Sequence, residues 1–232
     1  MNFEILAYEE TPLGLLCLRR REILSQPGTL VTEVTLNHEF LMSSYLTASE
    51  KSLSKLGLDL VQSDGGAGDL RVLVGGLGLG YTAESALDSE GVSHVEVVEF
   101  LPQVVAWLEN GLVPLAGRLN ADERLSVTHG DIYERLSRPG AQDFDLVAID
   151  VDHSPEDLLG EQSRGFYSCQ GIERAKSHLT RGGVLGVWSY DESSPLLANM
   201  KEVFNTVTVE KVTVMNDLIH EEQTDWLFFG VN

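Results

Sequence analysis

Residues 72–82 read V-L-V-G-G-L-G-L-G-Y-T, an apolar run that breaks into glycines and then resumes a helix-forming pattern. The run is a buried strand, and Gly75, Gly76, Gly78 and Gly80 stand where it must turn into a helix. Glycine there permits positive φ and lets backbone approach a ligand closely. The helix beyond presents unpaired N–H groups. The spacing is G-x-G-x-G, and Tyr81 stands where a dinucleotide fingerprint has its last glycine. That argues against an ordinary NAD site. No G-K-[ST] follows, so the loop is not a P-loop.

The chain around this turn divides in two. From residue 69 onward, strands alternate with helices. Strands are predicted at 70–75, 93–100, 125–129, 144–151 and 184–190, and helices at 81–89, 102–110, 131–137, 166–179 and 195–204. Arg181-Gly182-Gly183 reads as the stop of the fourth helix. Residues 205–215 and 225–231 read as a closing antiparallel hairpin. The alternation implies right-handed crossovers and a doubly wound α/β domain, with a mostly parallel seven-stranded sheet, over 69–232. Residues 1–62 read as a small β region plus a helix. Strands are expected at 3–8, 13–19 and 29–36, and an interrupted helical stripe runs over 38–58. Ser63 to Gly68, S-D-G-G-A-G, reads as the linker.

Charge narrows the partners. Sixteen basic against 36 acidic residues leave a net charge of −20, which repels phosphate backbones, so no nucleic-acid partner is expected. Arg19-Arg20-Arg21 is the one basic cluster and reads as a solvated strand end. The acidic balance suits a small cationic substrate such as an amine. The apolar runs at 13–18 and 184–188 fall short of the roughly 20 residues of a membrane span, and residues 1–10 hold no basic residue, so neither a membrane segment nor a signal peptide is expected. Cys17 and Cys169 form no C-x-x-C, and the histidines show no ligand spacing. A disulfide framework and a metal site are therefore not expected, and a cytoplasmic location fits.

Two acids fall where ligand chemistry would need them. Glu99 ends the second predicted strand of the α/β domain, 24 residues after Gly75, where a carboxylate can accept from both hydroxyls of a ribose. Asp131, in H-G-D-I after the third strand, can accept from an exocyclic amine such as adenine N6, with Ile132 against the ring. Each acid alone reads equally well as a helix N-cap or a first-turn charge. Together with the glycine turn, at successive strand ends, they describe a nucleoside site.

These residues, with F-D-L-V-A-I-D at 144–150, resemble the class I S-adenosylmethionine-dependent fold. Within it the chain is similar to spermidine synthases, the polyamine aminopropyltransferases. The small β region ahead of the nucleotide domain, the double glycine and the D-x-D-x-S-P stretch at 150–155 carry that resemblance. It implies transfer of an aminopropyl group from decarboxylated S-adenosylmethionine to an amine, with no metal, in a homodimer. It places Asp150 as the base that takes the amine's proton, and Glu50, Asp152, His153 and Tyr167 around the acceptor. Trp188 and Tyr190 belong either to that wall or to the core. Departures from the family pattern are also plain. Gly78 stands where the family has an Asp for the donor's ammonium, His153 stands where it has a second amine-binding Asp, and only Glu50 matches the Y-[HQ]-E motif. A methyltransferase using S-adenosylmethionine itself, or a non-catalytic nucleoside-binding homologue, is the alternative.

Overall fold

Turn chemistry at Thr11-Pro12 and Gln26-Pro27-Gly28 lays out an antiparallel meander at the start of the chain. In the computed structural model, which describes residues 3–63 and 68–232, β1 (Phe3–Thr11), β2 (Gly14–Glu22), β3 (Leu30–Leu36) and β4 (Glu39–Ser43) form a sheet in that order. The fourth strand corrects the helix expected over 38–58. Asn37 and His38 both have positive φ (52° and 71°), and Leu36 pairs with Glu39, which makes a two-residue hairpin turn without glycine. Asn37 stabilises it by accepting from Leu15 N through Oδ1 (2.9 Å) and donating to the Leu13 carbonyl (3.2 Å). The helix, α1 (Ala48–Ser63), starts ten residues later than expected. Residues 64–67 of the expected linker lie outside the described residues.

Helix α1 follows the small sheet in the chain but packs on the large one. Leu53 is fully buried in the main core, Ser54 Oγ donates to the Thr82 carbonyl (2.7 Å), and Gly57 lies against Leu146. The rest runs β5 (Leu70–Gly75), α2 (Tyr81–Leu87), β6 (Val92–Glu99), α3 (Pro102–Glu109), α4 (Ala116–Leu119), β7 (Leu125–His129), α5 (Ile132–Ser137) and β8 (Phe144–Ile149). A 3₁₀ turn at Glu161–Gly165 follows, then α6 (Cys169–Lys176), β9 (Leu179–Ser189), α7 (Ser194–Val203), β10 (Thr206–Asn216) and β11 (Glu221–Val231). The sheet order is β10-β11-β9-β8-β5-β6-β7. Strands β5 to β9 are parallel, and β11 is antiparallel to both of its neighbours.

Gly182 and Gly183 do not end a helix. Helix α6 stops at Lys176, and the two glycines lie inside β9, where Gly182 (φ 77°) makes a bulge that the C-terminal Asn232 caps with a pair of backbone hydrogen bonds. Alternation along the central strands divides the core into two layers. Val72 and Val74 face Leu53, Ala83 and Trp107, together with Leu16, Leu18 and Val34 of the small sheet. Leu73 faces Leu136, Ile172 and Met200. No helix among the described residues is long and apolar enough to cross a membrane.

The order places the site. Successive strands run outward from β5 in one direction and from β8 in the other, so the crossovers part between them and leave a crevice at their C-terminal ends. Register brings Gly75, Glu99, His129 and Ile149 to that one edge.

Candidate active site

A cavity of about 830 Å³ opens at this edge, between the glycine turn, the small sheet and the β10–β11 hairpin. That volume suits a nucleoside with a second small molecule.

The wall at the glycine turn is built from backbone. Gly76 (φ 92°) passes so close to β8 that a Cβ would sit 2.2 Å from the Asp150 carbonyl oxygen. Gly80 (φ 95°) stands at the start of α2, where a Cβ would meet Leu119 at 2.4 Å. A Cβ on Gly75 would meet Ile132 at 2.7 Å, so this glycine seats the isoleucine that lines the cavity. Glu99 is buried and holds the loop in shape. Its Oε2 accepts from Leu77 N (2.8 Å) and its Oε1 from Leu101 N (2.7 Å). Burial pushes its carboxyl up, while the amides of Leu101, Leu77, Gly78 and Phe100 pull it down. Asp131 is the N-cap of α5. Oδ1 accepts from Tyr133 N (2.8 Å) and Glu134 N (3.2 Å), and Oδ2 accepts nothing among the described residues. Asp131 also lines the cavity.

Across the cavity the carboxylates face one another. Asp150, one residue beyond β8, accepts from Thr82 Oγ1 (2.5 Å). Burial pushes its carboxyl up to about 6, against that hydrogen bond and helped by the nearby Asp225. Glu50, in the first turn of α1, is pushed up to about 7 by burial and then by Asp150, although it accepts from Ser49 Oγ (3.1 Å). Asp225, on β11, is raised by burial and eased by Ser49 and Trp188. The buried Nε1 of Trp188 faces this carboxyl without a hydrogen bond of good geometry.

Asp225 was not among the residues expected here. The signal for it is that Asp is depleted inside strands, yet Asp225 stands within an 11-residue one. Trp226 pairs with Ser189 at the end of β9, so Asp225 is the first residue of β11 to pass the sheet edge.

The other residues expected around an acceptor divide. Asp152 touches the cavity but is only 3% exposed, and its oxygens are engaged. Oδ2 accepts from the hydroxyls of Tyr133 (2.7 Å) and Tyr167 (2.9 Å), and Oδ1 from Leu159 N (2.8 Å). Tyr167 is buried behind it and does not line the cavity; burial holds both tyrosines well above their usual range. His153 does line it, with Nδ1 3.8 Å from Asp157 and its ring edge-on to Tyr190. Gly78 gives no anion to a ligand, and Met42 Sδ lies 3.2 Å from where its Cβ would be. Among the described residues no group of three or more His, Cys, Asp or Glu is arranged to hold a metal ion.

No family model matches the chain. Solved structures do. A spermidine synthase in complex with the transition state analogue AdoDATO matches with a TM-score of 0.76 at 14% identity, over 98% of this chain and 73% of that one. A probable spermidine synthase from Corynebacterium glutamicum matches at 0.68 and 16%, over 98% and 80%. The fold is that of spermidine synthases. Human methyltransferase-like protein 13, in complex with SAH, matches at 0.53 and 20% identity, over 80% of each chain, as expected of the shared class I methyltransferase architecture. The spermidine synthase matches span nearly the whole of this chain, so they take in the small N-terminal sheet as well.

Proposed function

We propose that the protein is a transferase that moves an aminopropyl group from decarboxylated S-adenosylmethionine to a small amine. The observation that carries this reading is Asp150: a carboxyl at the end of a central strand, beside the glycine turn and facing Glu50 and Asp225 over one cavity. The donor, when bound, supplies a carbon attached to a sulfonium, whose leaving group is a neutral thioether. Little acid catalysis is then required of the chain. Glu99 would accept from the ribose hydroxyls, Asp131 Oδ2 from the adenine amine, and Ile132 would pack on the ring. On the other wall the acids would hold an ammonium and align its nitrogen with the carbon. An alkylammonium has no lone pair, so Asp150 takes a proton before attack. A carboxyl raised to about 6 is a better base than an ordinary aspartate and is still ionised at neutral pH.

Gly78 favours a second reading, methyl transfer from S-adenosylmethionine, because the loop offers no anion to the donor's ammonium at that position. Isothermal titration with methylthioadenosine, S-adenosylmethionine and its decarboxylated form tests both. The first reading expects methylthioadenosine and the decarboxylated donor to bind, followed by turnover with amines. Tighter binding of the carboxylated donor would support methyl transfer, and binding of none would remove both.

A further inference from the structure

The cavity lining is acidic except at one end. Besides Glu33, six acids reach it, and the only guanidinium groups among the described residues there belong to Arg19 and Arg21. These two are not the solvated strand end that their run suggested. Arg19 pairs directly with Glu33 across β2 and β3, and Arg21 follows on the same face of β2. Arg19 Nε and Nη2 both reach Glu33 Oε2 (2.9 and 2.8 Å), while Arg21 Nε and Nη2 both reach Oε1 (2.7 and 2.6 Å). The Glu33 side chain is 5% exposed, and the arginines are 33% and 31% exposed. The two guanidinium groups hold its carboxyl below the usual range in spite of burial.

One arginine would neutralise Glu33. The second leaves a surplus positive charge, and the Nη1 edge of each guanidinium has no partner among the described residues. Both groups are locked by a buried acid, so their remaining donors are fixed in place, the arrangement that suits a carboxylate. A purely cationic ligand would be repelled here and attracted to Glu50, Asp150 and Asp225. A zwitterion satisfies both.

We propose that Arg19 and Arg21 are a carboxylate-recognition site, so that the protein takes an amine that itself bears a carboxylate, ammonium toward Glu50, Asp150 and Asp225. This rests on the reading of the cavity as a nucleoside sulfonium site. The carboxylate belongs either to the donor, as in S-adenosylmethionine itself, or to an amino-acid acceptor.

Arg21→Gln and Glu33→Gln separate the possibilities, with methylthioadenosine, which has no carboxylate, as the reference ligand. In Arg21→Gln, its affinity stays unchanged. If the donor brings the carboxylate, Arg21→Gln weakens S-adenosylmethionine about tenfold or more and leaves the decarboxylated form unchanged. If the acceptor brings it, ornithine loses a similar factor in KM while 1,4-diaminobutane does not. Glu33→Gln frees the guanidinium edges and tightens the carboxylate-bearing ligand, the opposite sign. A merely structural ion pair predicts that both variants impair every ligand alike, with a lowered Tm, and that result overturns the proposal. So does equal treatment of the carboxylated and decarboxylated compounds by wild type and Arg21→Gln. Failure of methylthioadenosine to bind wild type removes the nucleoside reading itself, and this inference with it.

Discussion

Glu99 and Asp131 are held by backbone N–H groups of the turns that follow their strands, whereas Glu50 and Asp150 accept from side-chain hydroxyls, those of Ser49 and Thr82. Asp225, beside them, faces the unpaired Trp188 Nε1. One wall of the cavity is thus satisfied without ligand, and the other is not. Backbone amides come with the turn that positions them and cost no further ordering. Carboxylates brought together from α1, β8 and β11 repel one another until a cation arrives. On the reading proposed above, the nucleoside wall is preorganised and the acceptor wall is charged in advance. A ligand should therefore stabilise the second much more than the first.

The largest test of this contrast is Asp150→Asn. It should lower kcat by about 10²–10⁴ while methylthioadenosine still binds, measured by turnover and titration on one preparation. Full activity would remove Asp150 as base. Next is Glu99→Ala. Loss of its charged acceptor should weaken nucleoside binding by about 1–3 kcal/mol and release the Leu77 and Leu101 amides, read as faster hydrogen exchange at those two sites. Unchanged affinity would show that the ribose lies elsewhere. Asp152→Asn should cost about 1–3 kcal/mol of stability through the two tyrosine hydroxyls, with no change in the ranking of amine acceptors. A changed ranking would return Asp152 to the acceptor wall.

Much of the wall at the glycine turn was legible in the sequence as one end of a shared sheet edge, and the reason is local. Gly75 to Gly80, Glu99 and Asp131 all lie at ends of strands in a βαβ series, so the pattern that predicts the strands also predicts their shared edge. The acceptor wall has no such shorthand. Glu50 entered by a single matching residue of a motif, and Asp225 reaches the site only because β11 runs antiparallel to β9 and beyond its end. Asp152 and Tyr167 were read from their place in the chain as ligand contacts, yet the structure joins them to each other. The Arg19–Glu33–Arg21 group depends on cross-strand register, which a run of three arginines does not reveal. β4 was hidden because Asn37-His38 makes its turn with residues that tolerate positive φ less often than glycine does.

Two smaller effects sharpen the contrast further. Asp225→Asn should raise KM for an amine several-fold and leave methylthioadenosine untouched. It should also move the acid limb of the kcat profile to lower pH, because Asp225 raises both Asp150 and Glu50. In the wild type that limb should rise through about 6, as Asp150 ionises. Stability without ligand should run the other way. Asp150 and Glu50 titrate above their ordinary 3.8 and 4.5, so their contribution is fully present below about pH 4 and is lost as the pH climbs through about 6 to 7. Glu50→Gln should flatten that decline by about 1–2 kcal/mol at pH 8, seen in denaturant melts. A decline that persists unchanged would place the carboxyl's burden elsewhere.

Strand β11 pairs with β9 only from Trp226 onward, so its first five residues, with Val212 to Asn216 of β10, stand beyond the sheet as a two-stranded ribbon over the cavity. Its strand pairing is its own ladder, and its ties to the rest of the molecule lie at its base, where Val212 packs against the main core and Asp225 meets Ser49. On the proposed reading, lengthening, shortening or recolouring it would change which acceptor is admitted without disturbing the floor at the glycine turn, so a single hairpin would set the specificity of this scaffold.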